Sequence, residues 1–442
     1  MQVTVENLGG LGRRLRVEVP AQTFQQRIDQ QLRDYARRAN IKGFRRGKVP
    51  ATVIEQRFGQ QIRNDVRQDL VRETLGEALN KEGLRPAANP AVNADASAEN
   101  FAYTATFDVL PEIGAIDVAD LQIEREEASV ADADIDRMID NLRKQRTAYR
   151  PAERAAQEGD MAAFEYFVQA GEQRIPAEGL ERGATILGQG AVFPELEQVL
   201  VGLSVGDQFQ TDMTFPNDYR EAGLAGKSAS IQGKLLKLSE PQMPEADADF
   251  IRSFGVADGD MESFRREIRA NLERELSSAL SARLRGAVVE KLVQKYESVE
   301  VPASLLDMES RALQERDANE LRRRAQQAGH AEAPPPPALD SYAESARKRV
   351  RAGMLLNEIA VQQSLRLDPA RVEAAIAQVA STYEDPAEVI QWYRQSPDLM
   401  RSVQNRVMEE QVAEWVASKA QVTAVERSFT DIVAPPSSGS AA

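Results

Sequence analysis

The side chains best equipped for chemistry in this sequence are gathered in one stretch, Gly43-Phe44-Arg45-Arg46-Gly47-Lys48-Val49-Pro50. Its two glycines permit a sharp loop tip. Arg45, Arg46 and Lys48 can pair with phosphates or acidic side chains, and Phe44 gains little there unless it stacks or docks. Such a loop suits an RNA–protein surface, although an ordinary interhelical turn with chance charges has the same composition. The usual catalytic side chains are scarce. With no cysteine there is no disulfide, thiolate nucleophile or zinc–thiolate site. The single histidine, His330, lies in a polar stretch just before Pro334 to Pro337. A Ser–His–Asp triad would need it on a rigid pocket wall, so an incidental solvated histidine is expected. Gly226-Lys227-Ser228 resembles the end of a phosphate-binding loop, but Glu221 stands where that motif needs its first glycine. Gly47-Lys48 fails in the same way, with Lys42 at that place. The expectation is therefore work without ATP, cofactor or metal.

The elements around the basic loop can be read from periodicity. Residues 2–19 alternate, with Leu15, Val17 and Val19 opposite Arg14, Arg16 and Glu18, as in a half-buried strand. Phe24, Ile28, Leu32 and Ala36 mark a helix before the loop. Pro50 suits a first helical turn, and Val53, Ile54, Phe58, Ile62, Val66, Leu70 and Leu75 mark a long helix after it. Phe101, Tyr103, Ala105, Phe107 and Val109 alternate as a second strand. This α+β unit is expected to span residues 1–113, followed by an acidic connector over 114–154 that packs with the C-terminal part and contains a short helix (Ile135, Met138, Ile139, Leu142).

Over 155–240 short strands and glycine turns predict a compact β-rich domain, with strands at 163–168, 184–187, 208–215 and 230–238. Residues 241–431 are expected to be all helical. Phe264, Ile268, Leu272, Leu276, Leu280, Leu284, Val288, Leu292 and Tyr296 repeat every four residues. An α-helix turns every 3.6, so this stripe drifts by about 40° per step and must meet more than one partner. Further helices are expected at 303–326, 339–364, 368–382, 385–394 and 397–420, and a disordered tail at 432–442.

The formal net charge is −14, yet residues 1–60 carry twelve Lys/Arg and five Asp/Glu, a local balance of 12 − 5 = +7. A basic patch on an acidic chain favours one polyanionic partner while the remainder resists nonspecific sticking; a solvated helix face would give the same count. No stretch approaches the roughly 20 apolar residues of a membrane span, and Met1-Gln2-Val3-Thr4-Val5 lacks the start of a signal peptide. A cytoplasmic protein with no membrane partner is expected.

From residue 1 to about 432 the sequence resembles trigger factor, the bacterial ribosome-associated chaperone family. The resemblance rests on Gly43 to Pro50, which is highly specific, and on weaker matches at Gly10-Leu11-Gly12-Arg13-Arg14, Phe250-Ile251-Arg252-Ser253-Phe254-Gly255-Val256 and Tyr383-Glu384-Asp385-Pro386. It implies a multidomain α+β protein: an N-terminal α+β ribosome-docking domain, an FKBP-like middle domain with prolyl-isomerase activity, and a helical C-terminal domain that cradles clients. Carried over, Gly43, Phe44, Arg45, Arg46, Gly47 and Lys48 form the docking loop. Tyr166, Phe193, Leu196, Tyr219 and Ile231 match the isomerase pocket. The family's Pro-Gly-Phe-Glu stands here as Pro194-Glu195-Leu196-Glu197, and Ile175-Pro176 replaces an aromatic rim residue. The implied isomerase is weakened. The implied partners are the large ribosomal subunit near the tunnel exit, through protein and rRNA, nascent and unfolded polypeptides, and a second copy of the chain off the ribosome.

Of the apolar helix residues, most form helix–helix core. Met354, Leu355, Ile359, Val403, Val407 and Met408 are the candidates to face clients, since broad apolar patches suit varied ligands. The leading reading is thus an ATP-independent holdase with an attached isomerase. A prolyl isomerase with a helical recruiting handle, and an RNA-binding scaffold, are the alternatives.

Overall fold

The computed structural model describes residues 1–38, 44, 49–95, 101–216, 224–327, 332–381, 383 and 385–434. In chain order the first elements are β1 (Gln2–Gly9), β2 (Gly12–Val19), α1 (Ala21–Arg38), α2 (Ala51–Lys81), β3 (Ala91–Asp95), β4 (Phe101–Asp108), β5 (Gln122–Glu127) and α3 (Asp132–Gln145). The middle of the chain holds β6 (Ala148–Pro151), β7 (Met161–Ala170), β8 (Gln173–Ile175), β9 (Glu181–Ile186), α4 (Pro194–Leu200), β10 (Gln208–Thr214) and β11 (Ser228–Gln242). Then follow α5 (Ala248–Arg252), α6 (Met261–Lys295), α7 (Ala303–Gln327), a 3-10 turn at Leu339–Tyr342, α8 (Ala343–Gln362), α9 (Pro369–Ala380), α10 (Pro386–Gln395) and α11 (Pro397–Lys419). The last elements are β12 (Gln421–Glu426) and α12 (Phe429–Val433). Two compact units result, residues 1–125 with 282–424, and residues 126–281 with 425–442.

In the first unit β1, β2, β4 and β3 form an antiparallel sheet in that order. The expected single strand over 2–19 is a hairpin. Gly9 and Gly10 have φ of 100° and 50°, values that side chains with a Cβ rarely adopt. One face of the sheet presents Leu15, Val17, Tyr103 and Ala105, all fully buried, to Ile28 of α1 and Ile54 of α2. Tyr103 closes this core with a polar handle: its hydroxyl lies 2.8 Å from the Thr74 hydroxyl, which donates to the Leu70 carbonyl. Burial pushes the Tyr103 phenol above its ordinary value.

The same unit holds a helical core of Val288, Leu292, Leu355, Ile359, Val412 and Val416, into which Ile116, Val118, Leu121 and Ile123 also insert. The Tyr296 hydroxyl accepts from the Asp117 amide at 2.7 Å and Lys295 donates to the Asp117 carbonyl at 2.9 Å, so α6 fastens this segment. The Lys295 ammonium holds the Asp120 carboxyl below the usual carboxylate range.

In the second unit β10, β11, β7 and β8 are neighbours in one antiparallel sheet, with β9 also pairing β7 and β6 pairing β11. Because β6 joins the far end of β11, and Ala152 and Ala156 enter the core, this β domain begins before the expected residue 155. At the centre of β11, a Cβ on Gly233 would meet the Glu165 carbonyl oxygen at 2.3 Å and the Phe209 ring at 2.5 Å, so only glycine lets strand and ring approach. A separate core joins Ile135 and Ile139 of α3, Phe250, Ile251, Phe264, Ile268, Leu272 and Ile432.

The drifting stripe of α6 behaves as its period demands. Phe264 to Leu276 enter this last core, whereas Val288 and Leu292 enter the helical core of the first unit. Two expectations are corrected. The C-terminal part is not all helical, because β12 pairs with β5. The tail does not begin at 432, because α12 buries Ile432; residues 435–442 lie outside the described ones.

Candidate functional site

Three places come from the sequence, and the structure treats them differently. At the basic loop, α1 and α2 pack side by side in the N-terminal core. Val49 is buried in that core, and the Pro50 carbonyl accepts from the Val53 and Ile54 amides, so the chain leaving the loop is anchored where α2 begins. Phe44 is exposed. Gly43, Arg45, Arg46, Gly47 and Lys48 lie outside the described residues.

In the β domain, Tyr166, Phe193, Leu196 and Ile231 belong to one apolar cluster. Leu196 and Ile231 are interior, while Tyr166 and Phe193 are half-buried at its edge. Phe193 meets Phe215 edge-on with centroids 5.3 Å apart, and the Tyr166 hydroxyl donates to Glu181 at 3.0 Å. Tyr219 lies outside the described residues. Strand alternation sets which residues point inward here, and α4, started by Pro194, inserts Leu196 and Leu200.

Sequence reasoning missed the side chain that shapes the loop before α4. Glu197 is buried and accepts from the Gly188 amide at 3.2 Å and the Gly190 amide at 3.1 Å. Its visible signal was an acidic residue in the first turn of a helix that follows a glycine-rich stretch. An ion pair to a buried carboxylate braces the same domain: the half-exposed Arg154 grips Asp160 through both terminal nitrogens, at 2.6 and 2.9 Å. That contact, more than a flanking Glu240, holds the Arg154 guanidinium above its ordinary value.

In the helical part of the first unit, α6, α7, α8 and α11 border an open groove of about 990 Å³. Its floor includes Val289 and Val293 of α6 and Ala352 and Leu356 of α8, with Gly286 and Gly353 leaving room between them. Its rim carries paired charges: Arg285 with Glu409 at 3.5 Å, Arg349 with Glu309 at 3.2 Å, and Lys348 with Glu344 at 3.3 Å. Among the candidates for client contact, Leu355 and Ile359 are interior to the helical core. Val403 and Val407 are interior to a second one with Val372 and Ile376. These four are corrected from surface to core. Met354 and Met408 are half-buried. A helix turns 100° per residue, so Leu355 and Ile359 share the core-facing stripe while Ala352 and Leu356, one turn apart on an adjacent stripe, reach the groove.

Comparison with known proteins decides the family. The model described as bacterial trigger factor protein (TF) matches residues 1–142, and that described as bacterial trigger factor protein (TF) C-terminus matches residues 260–418. A trigger factor of Stenotrophomonas maltophilia (strain K279a) is 45% identical over 433 residues, covering 98% of this chain and 100% of that protein. The chain belongs to the trigger factor family. A trigger factor of Xanthomonas axonopodis pv. citri (strain 306) is 44% identical with the same coverage. A solved trigger factor chaperone, described for promiscuous substrate recognition in folding and assembly, is 16% identical, with a TM-score of 0.44 over 95% of this chain and 99% of that one. As a trigger factor family member the chain is a chaperone. No helix among the described residues is long and apolar enough to cross a membrane.

Proposed function

We propose that this chaperone docks on the large ribosomal subunit near the tunnel exit through residues 43–48 and holds emerging polypeptide in the helical groove of its first unit, in the cytoplasm and without ATP. The observation that carries the reading is the groove: an open trough with valines on its floor, three of whose rim cations are already paired with glutamates. Those three pairs need no counter-charge from a ligand, so varied apolar segments can lie on the half-buried Val289 and Val293 between them. Phe44, exposed within the basic stretch, supports docking by the loop. Two measurements test the reading. Replacing Val289 and Val293 by serine should lower the capacity to keep a denatured client soluble at least threefold while leaving the fold intact; unchanged capacity rejects the groove. Changing Phe44, Arg45 and Arg46 together to alanine should abolish co-sedimentation with ribosomes, and retained binding rejects docking by this loop.

The half-buried Tyr166 and Phe193 favour an accompanying prolyl-isomerase activity. The barrier to turning an X–Pro bond is amide resonance, about 18–20 kcal/mol, and it requires no proton transfer. An apolar surface that desolvates and twists the bond can lower it. Leu196 offers less area than an aromatic floor would, so the rate is expected to be low. A protease-coupled peptide assay with no acceleration at all would remove this activity. The same groove, when empty, offers apolar surface to a second copy; a monomer at tens of micromolar in sedimentation, independent of concentration, would exclude that.

A further inference from the structure

We propose that Asp108 is a latch that fixes the N-terminal sheet domain to the helices of the groove, by capping α7 from across the domain boundary. Its consequence for clients rests on the reading of the groove and of residues 43–48 given above; the latch itself does not. The start of a helix leaves its first amides without intrahelical acceptors, and a polar residue just before the helix commonly supplies one. At α7 that residue is Pro302, which has no side-chain acceptor, and the first turn carries no acidic side chain. The acceptor comes from the end of β4 instead. Asp108 Oδ2 accepts from the Ser304 amide at 2.7 Å, across 196 residues of sequence. The carboxylate there meets the positive end of the helix dipole.

The joint is narrow and closed. The Ser304 hydroxyl is occluded from solvent and has no partner. A Cβ on Gly10, in the turn between β1 and β2, would lie 2.6 Å from a carboxylate oxygen of Glu300, so the hairpin abuts the run into α7 as well. No apolar cluster crosses here among the described residues, because the core under the sheet shares no residue with the helical cores. Domains joined without a large apolar interface move relative to one another unless something else holds them. One hold is the chain itself: Gln362 of α8 accepts from the Ile116 amide at 3.0 Å and donates to the Gly114 carbonyl at 2.9 Å. A tether alone lets a domain pivot, whereas tether and cap together fix it. α7 also carries Glu309, whose pair with Arg349 stands on the groove rim. The cap thereby sets the direction of the groove relative to the N-terminal domain.

The test uses the full-length chain. It has no cysteine of its own, so Arg72→Cys on α2 and Arg323→Cys on α7, both exposed positions, take spin labels cleanly. Double electron–electron resonance should give one narrow distance distribution, and Asp108→Ala should widen it roughly twofold as the domain pivots. Ser304→Pro removes the donor from the helix side, where proline is tolerated, and should widen it equally; it carries the test if the alanine variant folds poorly. Asp108→Asn keeps an acceptor and should give an intermediate width. The double variant should be no wider than either alone, since both break one contact. Amide exchange in the first turn of α7 should quicken about fivefold in Asp108→Ala, as the loss of an N-cap brings. Unchanged widths in both single variants overturn the latch. A second measurement separates the latch from the client reading. On ribosomes bearing a short apolar nascent chain, Asp108→Ala should co-sediment as the unaltered chain does. Crosslinking from a photoreactive side chain introduced at Val293 should meanwhile fall about threefold, because the groove no longer points at the emerging segment. Widened distances with undiminished crosslinking would sever the latch from clients. No crosslinking from the unaltered chain would instead reject the groove as the client site and leave the latch to the distance measurement.

Discussion

The β domain and the helical groove solve opposite problems with similar apolar residues. In the β domain, alternation sends every second side chain into one core, and Tyr166 and Phe193 are among the half-buried side chains at its edge. In the groove, α8 gives Leu355, Leu356 and Ile359 to one core, and Leu356 with Ala352 at the margin of that core also borders the open space. A strand therefore states its inner face in its sequence, whereas a broadly apolar helix does not say which stripe is structural.

That contrast can be broken most forcefully at the two interiors. Leu235→Ala in β11 and Leu355→Ala in α8 each remove a fully buried side chain and should destabilise by about 2–5 kcal/mol in denaturant unfolding. If Leu355→Ala left stability untouched but impaired client holding, the assignment of its stripe to the core would be wrong. Next in size, Glu197→Ala leaves the Gly188 and Gly190 amides without their acceptor and should cost about 1–3 kcal/mol. Glutamine at that place should recover part of the loss, which a simple packing role would not require. A third comparison concerns the N-terminal core. The raised folded-state value of Tyr103 means that the unfolded chain loses its phenolic proton first as pH rises. Stability should then be fully present below the unfolded value near 10 and fall above it. Tyr103→Phe should flatten that fall relative to the parent, and identical alkaline profiles would discount it. Smallest of all, Lys348→Ala on the groove rim breaks an exposed i,i+4 pair and should change stability by less than about 0.5 kcal/mol.

Much of the fold was legible because local rules and tertiary demands agree. Pro50 placed the start of α2, and the four-residue period of α6 foretold that it meets more than one partner. The hairpin over residues 2–19 was hidden because Gly9, Gly10 and Gly12 interrupt the alternation without adding the polar cluster that marks most turns. β12 was hidden because it directly follows α11 with no glycine or proline between them, and because its partner is remote in sequence. At the sites, composition pointed to Phe44, and the family resemblance pointed to Tyr166, Phe193, Leu196 and Ile231, which share one apolar cluster. Composition could not show that Leu355 is wholly enclosed while Leu356, in the same core, also borders the groove, since one step along a helix changes the face but not the residue type.

The pairing of β12 with β5 has a consequence for how such a chain is made. Strand β5 is synthesised about 300 residues before β12, and Val118, Leu121 and Ile123 likewise await Val412 and Val416. Through most of its own translation the polypeptide must carry an open strand edge and a row of unburied aliphatic side chains. It is thus, until residues 412–426 arrive, the same kind of aggregation-prone intermediate that a chaperone attends.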